Sequence, residues 1–383
     1  MTSGTAAAGL SAGVLPSVAL AQDKSQLPEY VAWKNPDAVI VHSEQTIETT
    51  REAIGASSIT PTNILYVRNN LPAPGGDIAA DPDAWEIAFS GVGQERSMTL
   101  GELKGFGVET VACVLQCSGN GRAFFTHEAS GTKWSVGAAG NVFWTGVPLK
   151  AVVAALGGPA SGAVYLTATG GEELPAGLDP LSLMVERSVP IEALENALIA
   201  YEINGEALPV AHGGPARLVV PGYFGVNNVK YVKAITLSPD ESQAKIQQSG
   251  YRVRPVGESG GPSQPSMWQM PVKSWITSPL ESASSGRVVI EGVAFGGDSE
   301  VTGVEVSTDG GANWEKAAFT GPDLGPYAWR PFALITDLAA GTHELVSRAT
   351  NAAGDAQPED FPENERGYGN NGWRAHGVSV TLA

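Results

Sequence analysis

The chain is predicted to be an α+β protein: a mixed α/β domain over residues 22–253, a linker at 254–268 and an all-β immunoglobulin-like sandwich over 269–383. Three observations predict this. The 383 residues include 47 glycines and 26 prolines, a mix that favours strands and turns over long helices. Arg254-Pro-Val-Gly-Glu-Ser-Gly-Gly-Pro-Ser-Gln-Pro265 has linker composition and marks a boundary. Beyond it, apolar residues alternate in short runs broken by turn residues, the spacing of a sandwich.

Taken in order, Thr5 to Ala21 is small, uncharged and apolar and ends in Val18-Ala-Leu-Ala21-Gln22. That is the pattern of a secretory signal's apolar segment and cleavage site, so residues 1–21 are expected to be the remnant of such a signal. A small-residue terminal tail is the other reading. No other segment approaches the ~18 apolar residues of a membrane span. Ile64-Leu-Tyr66-Val67 reads as a strand that delivers Arg68-Asn69-Asn70 into the loop Leu71-Pro-Ala-Pro-Gly-Gly76.

Glu109 to Leu115 is a β-branched, apolar run followed by Cys117-Ser-Gly-Asn-Gly-Arg122, which places a thiol and a guanidinium in one loop at a strand end, where chemistry gathers. Cys113 lies mid-strand and reads as a core thiol. The same role is open to Cys117 on composition alone. Four strand residues separate the two sulfurs by roughly 13 Å, beyond the reach of a disulfide.

Trp144-Thr-Gly-Val-Pro148 through Leu156-Gly157 reads as a helix with proline in its first turn and glycine past its end. Val189 to Tyr201 spaces its apolar residues for one helical face. In the last part, the runs Arg287–Phe295, Val304–Ser307, Trp314–Ala317 and His343–Ala349 read as strands, and Asp309-Gly-Gly311 as a hairpin turn. The formal net charge of -17 argues against nucleic acid and fits a basic partner.

Leu115-Gln-Cys117-Ser-Gly-Asn120-Gly-Arg122 resembles the cofactor loop of the sulfite oxidase family of molybdenum enzymes. Four further stretches resemble the family in the same order. Tyr66-Val67-Arg68-Asn69-Asn70 is similar to its cofactor- and substrate-binding strand end, with Asn70 where the family commonly has histidine. His212, Arg217 and Asn228-Val229-Lys230 resemble the segment that holds the pterin and its phosphate. Gly250-Tyr251 falls where the family has its active-site tyrosine, and Asn364-Glu-Arg366-Gly367 where an arginine reaches back into the substrate pocket. Gly177-Leu-Asp179 is a weaker match to a family loop.

The resemblance implies a sulfite oxidase-type molybdopterin domain, with Cys117 as the protein ligand of the molybdenum–molybdopterin cofactor. Arg68, Arg122 and Arg366 would hold the oxyanion, and Tyr251 would hydrogen-bond it. It implies oxidation of sulfite to sulfate and a homodimer contact in the last domain. The sequence has no Cys-x-x-Cys-His haem attachment, so the expected electron acceptor is external, a basic c-type cytochrome. Export of a folded, cofactor-loaded protein implies the twin-arginine route and the periplasm, although no twin arginine is present. Within the family a sulfane dehydrogenase acting on protein-bound sulfur is the alternative, ahead of a methionine sulfoxide reductase-like subunit. From another class, the chain would be a non-catalytic secreted protein that binds a partner through its sandwich.

Overall fold

The strand Glu109–Gln116 begins exposed and ends with five buried residues, so it drives Cys117 from the surface into the protein. This holds in a computed structural model of the chain, which describes residues 27–55 and 57–383. The expected signal, 1–21, lies outside the described residues. Glu109–Gln116 pairs antiparallel with Ala139–Pro148, which pairs with Leu198–Ile203, and Glu206–Ala207 and Arg217–Val219 share the far edge of that strand. A second sheet runs in the order Arg96–Thr99, Glu86–Ser90, Val232–Ser238, Tyr165–Gly170, Glu186–Pro190. Only Val232–Ser238 beside Glu86–Ser90 is parallel.

Ile87, Val152, Ile199, Leu218 and Ile235 meet between these sheets in one core. Each buried aliphatic side chain there contributes about 1.5–3 kcal/mol. A small third sheet, Val39–Ser43, Thr46–Thr49 and Val67–Arg68, holds Arg68 at its edge.

Two expected helices are corrected. Only Leu149–Ala155 of the first is helical; Trp144 to Pro148 belong to the strand Ala139–Pro148, hydrogen-bonded on both edges. Val189–Tyr201 is the end of the strand Glu186–Pro190, a 3-10 turn Ile191–Glu195 and the start of Leu198–Ile203. Leu198, Ile199 and Ala200 are all buried, and a short run buried on both faces carries no period to separate strand from helix. Ile64–Val67 is ladder-paired only at Val67.

Residues 254–268 double back on the first domain: Met267 N donates to Tyr251 O at 3.0 Å and Val253 N to Pro265 O at 2.9 Å. The last part is a two-sheet sandwich. One sheet runs Lys273–Ser278, Gly286–Phe295, Arg330–Leu338, Ala318–Phe319; the other Ser282–Ala283, Val378–Leu382, Gly341–Asn351, Val301–Ser307, Glu315–Lys316. Ile276, Ile290, Phe332, Val304, Leu345 and Val380 fill the space between them. The expected Asp309 turn joins Val301–Ser307 to Glu315–Lys316, its carboxylate accepting from Ser307 Oγ at 2.7 Å and Asn313 N at 2.9 Å. A further apolar cluster, with Val114, Phe224 and Tyr251 from the first domain and Trp275, Phe295 and Trp329 from the second, fuses the two parts. Among the described residues no helix is long and apolar enough to cross a membrane.

Candidate active site

Cys117 stands where two cavities meet. The inner one is lined by Tyr66, Ser118, Glu172, His212, Arg217, Asn228, Val229 and Lys230. The outer one is lined by Arg122, Trp134, Arg366 and Tyr368. Arg68, Asn69, Asn70, Cys117 and Tyr251 border both.

The thiol is held by its loop. Cys117 N donates to Ala138 O at 2.9 Å, and Asn120 ties the loop together, donating to Gln116 Oε1 at 3.0 Å and accepting from Ala138 N at 3.2 Å. The opposing turn is fixed by the buried Glu48 carboxylate, which accepts from Ser135 N at 2.8 Å, Ser135 Oγ at 2.6 Å and Gly137 N at 2.9 Å. Cys113 packs in the same apolar cluster but lines neither cavity, and burial pushes its thiol up to about 12.

The inner cavity concentrates cations. Lys230 Nζ donates to Asn69 Oδ1 and Ala211 O, both at 2.6 Å. Arg217 donates to Asn228 O at 3.0 Å and His212 O at 2.9 Å. Lys34, behind His212, donates to Leu65 O at 2.6 Å and lies 3.3 Å from His212 Nε2. Burial lowers Lys34 to about 7, and burial, then the neighbouring cations, holds His212 well below its ordinary range. Lys230 is also lowered, first by burial and then by Arg217.

The acid lining this cavity is Glu172. Burial raises it to about 7, and its Oε2 has no partner, nor does the buried Ser118 Oγ. A cluster of desolvated cations beside unpaired polar atoms calls for an anionic, polar ligand.

The outer cavity is lined by three guanidinium groups and no carboxylate. Arg122 is buried and anchored, donating from Nε to Arg366 O at 2.9 Å and from Nη1 to Thr132 O at 2.7 Å. It fits because its neighbours are glycines: a Cβ on Gly119 would come within 2.4 Å of its Nη2, and one on Gly367 within 2.7 Å of its Cγ. Arg366 leaves its buried Nε unpaired. Arg68 donates to Asn70 Oδ1. Burial opposes the charge of Arg68, yet Tyr251, Cys117, Tyr368 and Tyr66 together raise its pKa. Tyr251 stacks on Tyr368 with centroids 5.1 Å apart and planes 9° apart. Burial, then Tyr251, pushes Tyr368 up to about 12, so it stays a neutral donor.

Thus the sequence-predicted residues converge with two exceptions. Val67 packs in the small core of Val31, Val39, Ile47 and Ala211 and acts only by holding Arg68. Asp179 does not line either cavity; it is an exposed N-cap whose carboxylate accepts from Leu181 N at 3.1 Å, the ordinary role of a loop aspartate. Sequence reasoning missed Lys34, Glu172, Trp134 and Tyr368. Tyr368, two residues from Arg366, was the one with a nearby signal.

Among the described residues no group of three or more His, Cys, Asp or Glu is gathered, so a metal at Cys117 would draw its remaining ligands from elsewhere. A pterin that brings sulfur ligands at one end and a phosphate at the other meets these requirements. Cys117 would hold the metal, and Lys230, Arg217 and His212 would bind the phosphate.

Residues 74–246 match the family model described as an oxidoreductase molybdopterin binding domain, and 264–382 that of the Mo-co oxidoreductase dimerisation domain. The chain is 34% identical over 360 residues to mitochondrial sulfite oxidase of Homo sapiens, covering 87% of this chain and 63% of that protein. It therefore spans somewhat under two thirds of that relative. To sulfite oxidase of Arabidopsis thaliana it is 30% identical over 366 residues, 88% of this chain and 91% of the relative. The crystal structure of the sulfane dehydrogenase SoxCD from Paracoccus pantotrophus superposes with a TM-score of 0.74 at 28% identity, covering 90% of this chain and 88% of that one. With two matched domains and relatives aligned along most of its length, the chain belongs to the sulfite oxidase family of molybdopterin enzymes.

Proposed function

We propose that the protein oxidises sulfite to sulfate and passes the electrons to an external acceptor. The observation that carries this reading is the outer cavity: Arg68, Arg122 and Arg366 line it without a carboxylate, directly beside Cys117. Such a pocket selects a small oxyanion. Bound in the inner cavity, the molybdenum–molybdopterin cofactor supplies the oxygen atom and accepts two electrons.

The chain's own residues do the rest. Cys117 would hold the metal as a thiolate. Arg217 and Lys230 would compensate the charge of the phosphate, and His212, neutral beside them, would bind it by a hydrogen bond. Arg122, rigid in its glycine cradle, and Arg366 orient the substrate and compensate its charge. Tyr251, between the two cavities, donates its hydroxyl proton toward the reacting oxygen. The stacked Tyr368 ring and Trp134 limit water.

Electron delivery to a basic c-type cytochrome fits the net charge of -17. A periplasmic location and a homodimer formed through residues 264–382 complete the proposal. A second reading, sulfane oxidation, is favoured by the likeness to SoxCD and by Asn70 at the cavity junction.

The deciding experiment is sulfite-dependent reduction of ferricyanide and then of cytochrome c by protein shown to contain molybdenum. Turnover with both is expected, the second falling steeply with ionic strength. Molybdenum without sulfite turnover would move the substrate to bound sulfane.

A further inference from the structure

Lys273, the first residue of the sandwich strand Lys273–Ser278, is 1% exposed and far from any surface. Its ammonium donates to Asn370 O at 2.7 Å and approaches Asn120 O at 3.4 Å. Those two carbonyls belong to different loops. Asn120 lies three residues past Cys117, and Asn370 four past Arg366.

The same two loops are joined at three more points. Gly369 N donates to Ser118 O at 2.8 Å, Asn370 Nδ2 to Gly121 O at 3.0 Å, and Arg122 Nε to Arg366 O at 2.9 Å. Among the described residues nothing acidic offsets the ammonium. The charged or titratable groups that act on it are Arg51, which donates to Ile276 O at 2.8 Å and His376 O at 2.5 Å, and His376, whose Nδ1 lies 2.7 Å from Gly372 O. His376 Nε2 is buried and unpaired, facing Gly121. A buried cation without a counter-ion is costly, and an apolar side chain of similar length would fill this space more cheaply. Its use is therefore to be sought in what it holds.

We propose that Lys273 is a positioning residue of the active site, the pin by which the sandwich domain fixes the Cys117–Arg122 loop against the Arg366–Tyr368 loop. The outer cavity is assembled from both domains, and its width follows from how these loops meet. Burial, then Arg51, lowers Lys273 to about 7, so the strength of the pin changes near neutrality. The consequence for substrate rests on the oxyanion reading above; the loop geometry does not.

The test is hydrogen exchange on the molybdenum-loaded protein and its Lys273→Met variant, with sulfite kinetics on the same samples. Exchange at Gly121 and Gly369 is expected to rise at least tenfold while the strand Leu198–Ile203 is unchanged. KM for sulfite is expected to rise about tenfold with kcat within about twofold. Asn370→Ala, which removes the Nδ2 bond of the same joint, is expected to act alike and less than additively with Lys273→Met. Unchanged loop exchange in both variants, or a rise spread through the whole chain, overturns the proposal. Loop-confined exchange in a protein whose wild type does not oxidise sulfite would leave Lys273 as the pin and refute the substrate reading alone.

Discussion

Arg122 Nε lies 2.9 Å from the backbone oxygen of Arg366, so two guanidinium groups that would repel across an open pocket are joined through one backbone. The first donates from Nε and Nη1 to backbone carbonyls. The second keeps its buried Nε free. Arg366 therefore brings to the pocket a buried donor that no protein group has taken.

Arg366→Ala is expected to raise KM for sulfite about 30- to 150-fold, the equivalent of about 2–3 kcal/mol for a lost charge-assisted contact. Cofactor content should be unchanged, because Arg366 does not line the inner cavity. Steady-state kinetics decides this; an unaltered KM would remove Arg366 from the substrate pocket.

Cys117→Ser is expected to abolish turnover, to below about 1% of wild type, because an alcohol oxygen does not replace a thiolate toward molybdenum. Cys113→Ala is the matched control. Its thiol is buried in the apolar core, so this variant should lose about 1–2 kcal/mol of stability and keep its molybdenum and activity. Metal analysis and turnover on both variants check the assignment; near-native turnover of Cys117→Ser would refute it.

What the sequence disclosed follows from how locally each feature is encoded. Cys117 and Arg122 share one loop, and His212, Arg217 and Lys230 share one short segment, so each set forms a compact motif whose resemblance to the family brings it forward. Lys34 reaches His212 across 178 positions and Lys273 reaches Asn120 across 153. Neither carries any local mark. The strand Gly286–Phe295 was legible because exposed and buried residues alternate from Arg287 to Glu291 and the period survives there. Leu198–Ile203, buried between neighbours, lost that period and read as a helix. Asp179, a weaker match, lines neither cavity and caps Leu181 N from an exposed loop.

Anion binding in the inner cavity should take up protons. Burial sets Lys34 near 7, and Glu172, raised by burial, titrates in the same range. An anion favours the charged lysine and the neutral acid, so both groups bind protons as it enters, and affinity falls as pH rises through about 7. Cofactor-free protein should be stabilised by sulfate more at pH 6 than at pH 8, measured by thermal denaturation. Lys34→Met should flatten the difference. Equal stabilisation of the wild type at both pH values would exclude this coupling.

Asn70 stands where a histidine was expected from the family pattern, and its Oδ1 accepts from Arg68. An amide does not titrate, so this contact holds the guanidinium toward both cavities at any pH near neutrality. Asn70→His would keep an acceptor only while the ring is neutral. Below its pKa, pushed under the ordinary value of about 6.5 by Arg68, the imidazolium would lose that hydrogen bond and repel the arginine. The ratio of variant to wild-type KM for sulfite should therefore be near one at pH 8 and rise several-fold toward pH 5.5. For Asn70→Ala, which lacks an acceptor at every pH, the ratio should be raised throughout and flat. Parallel pH profiles for the two variants would show that Asn70 does not orient Arg68 in the working enzyme.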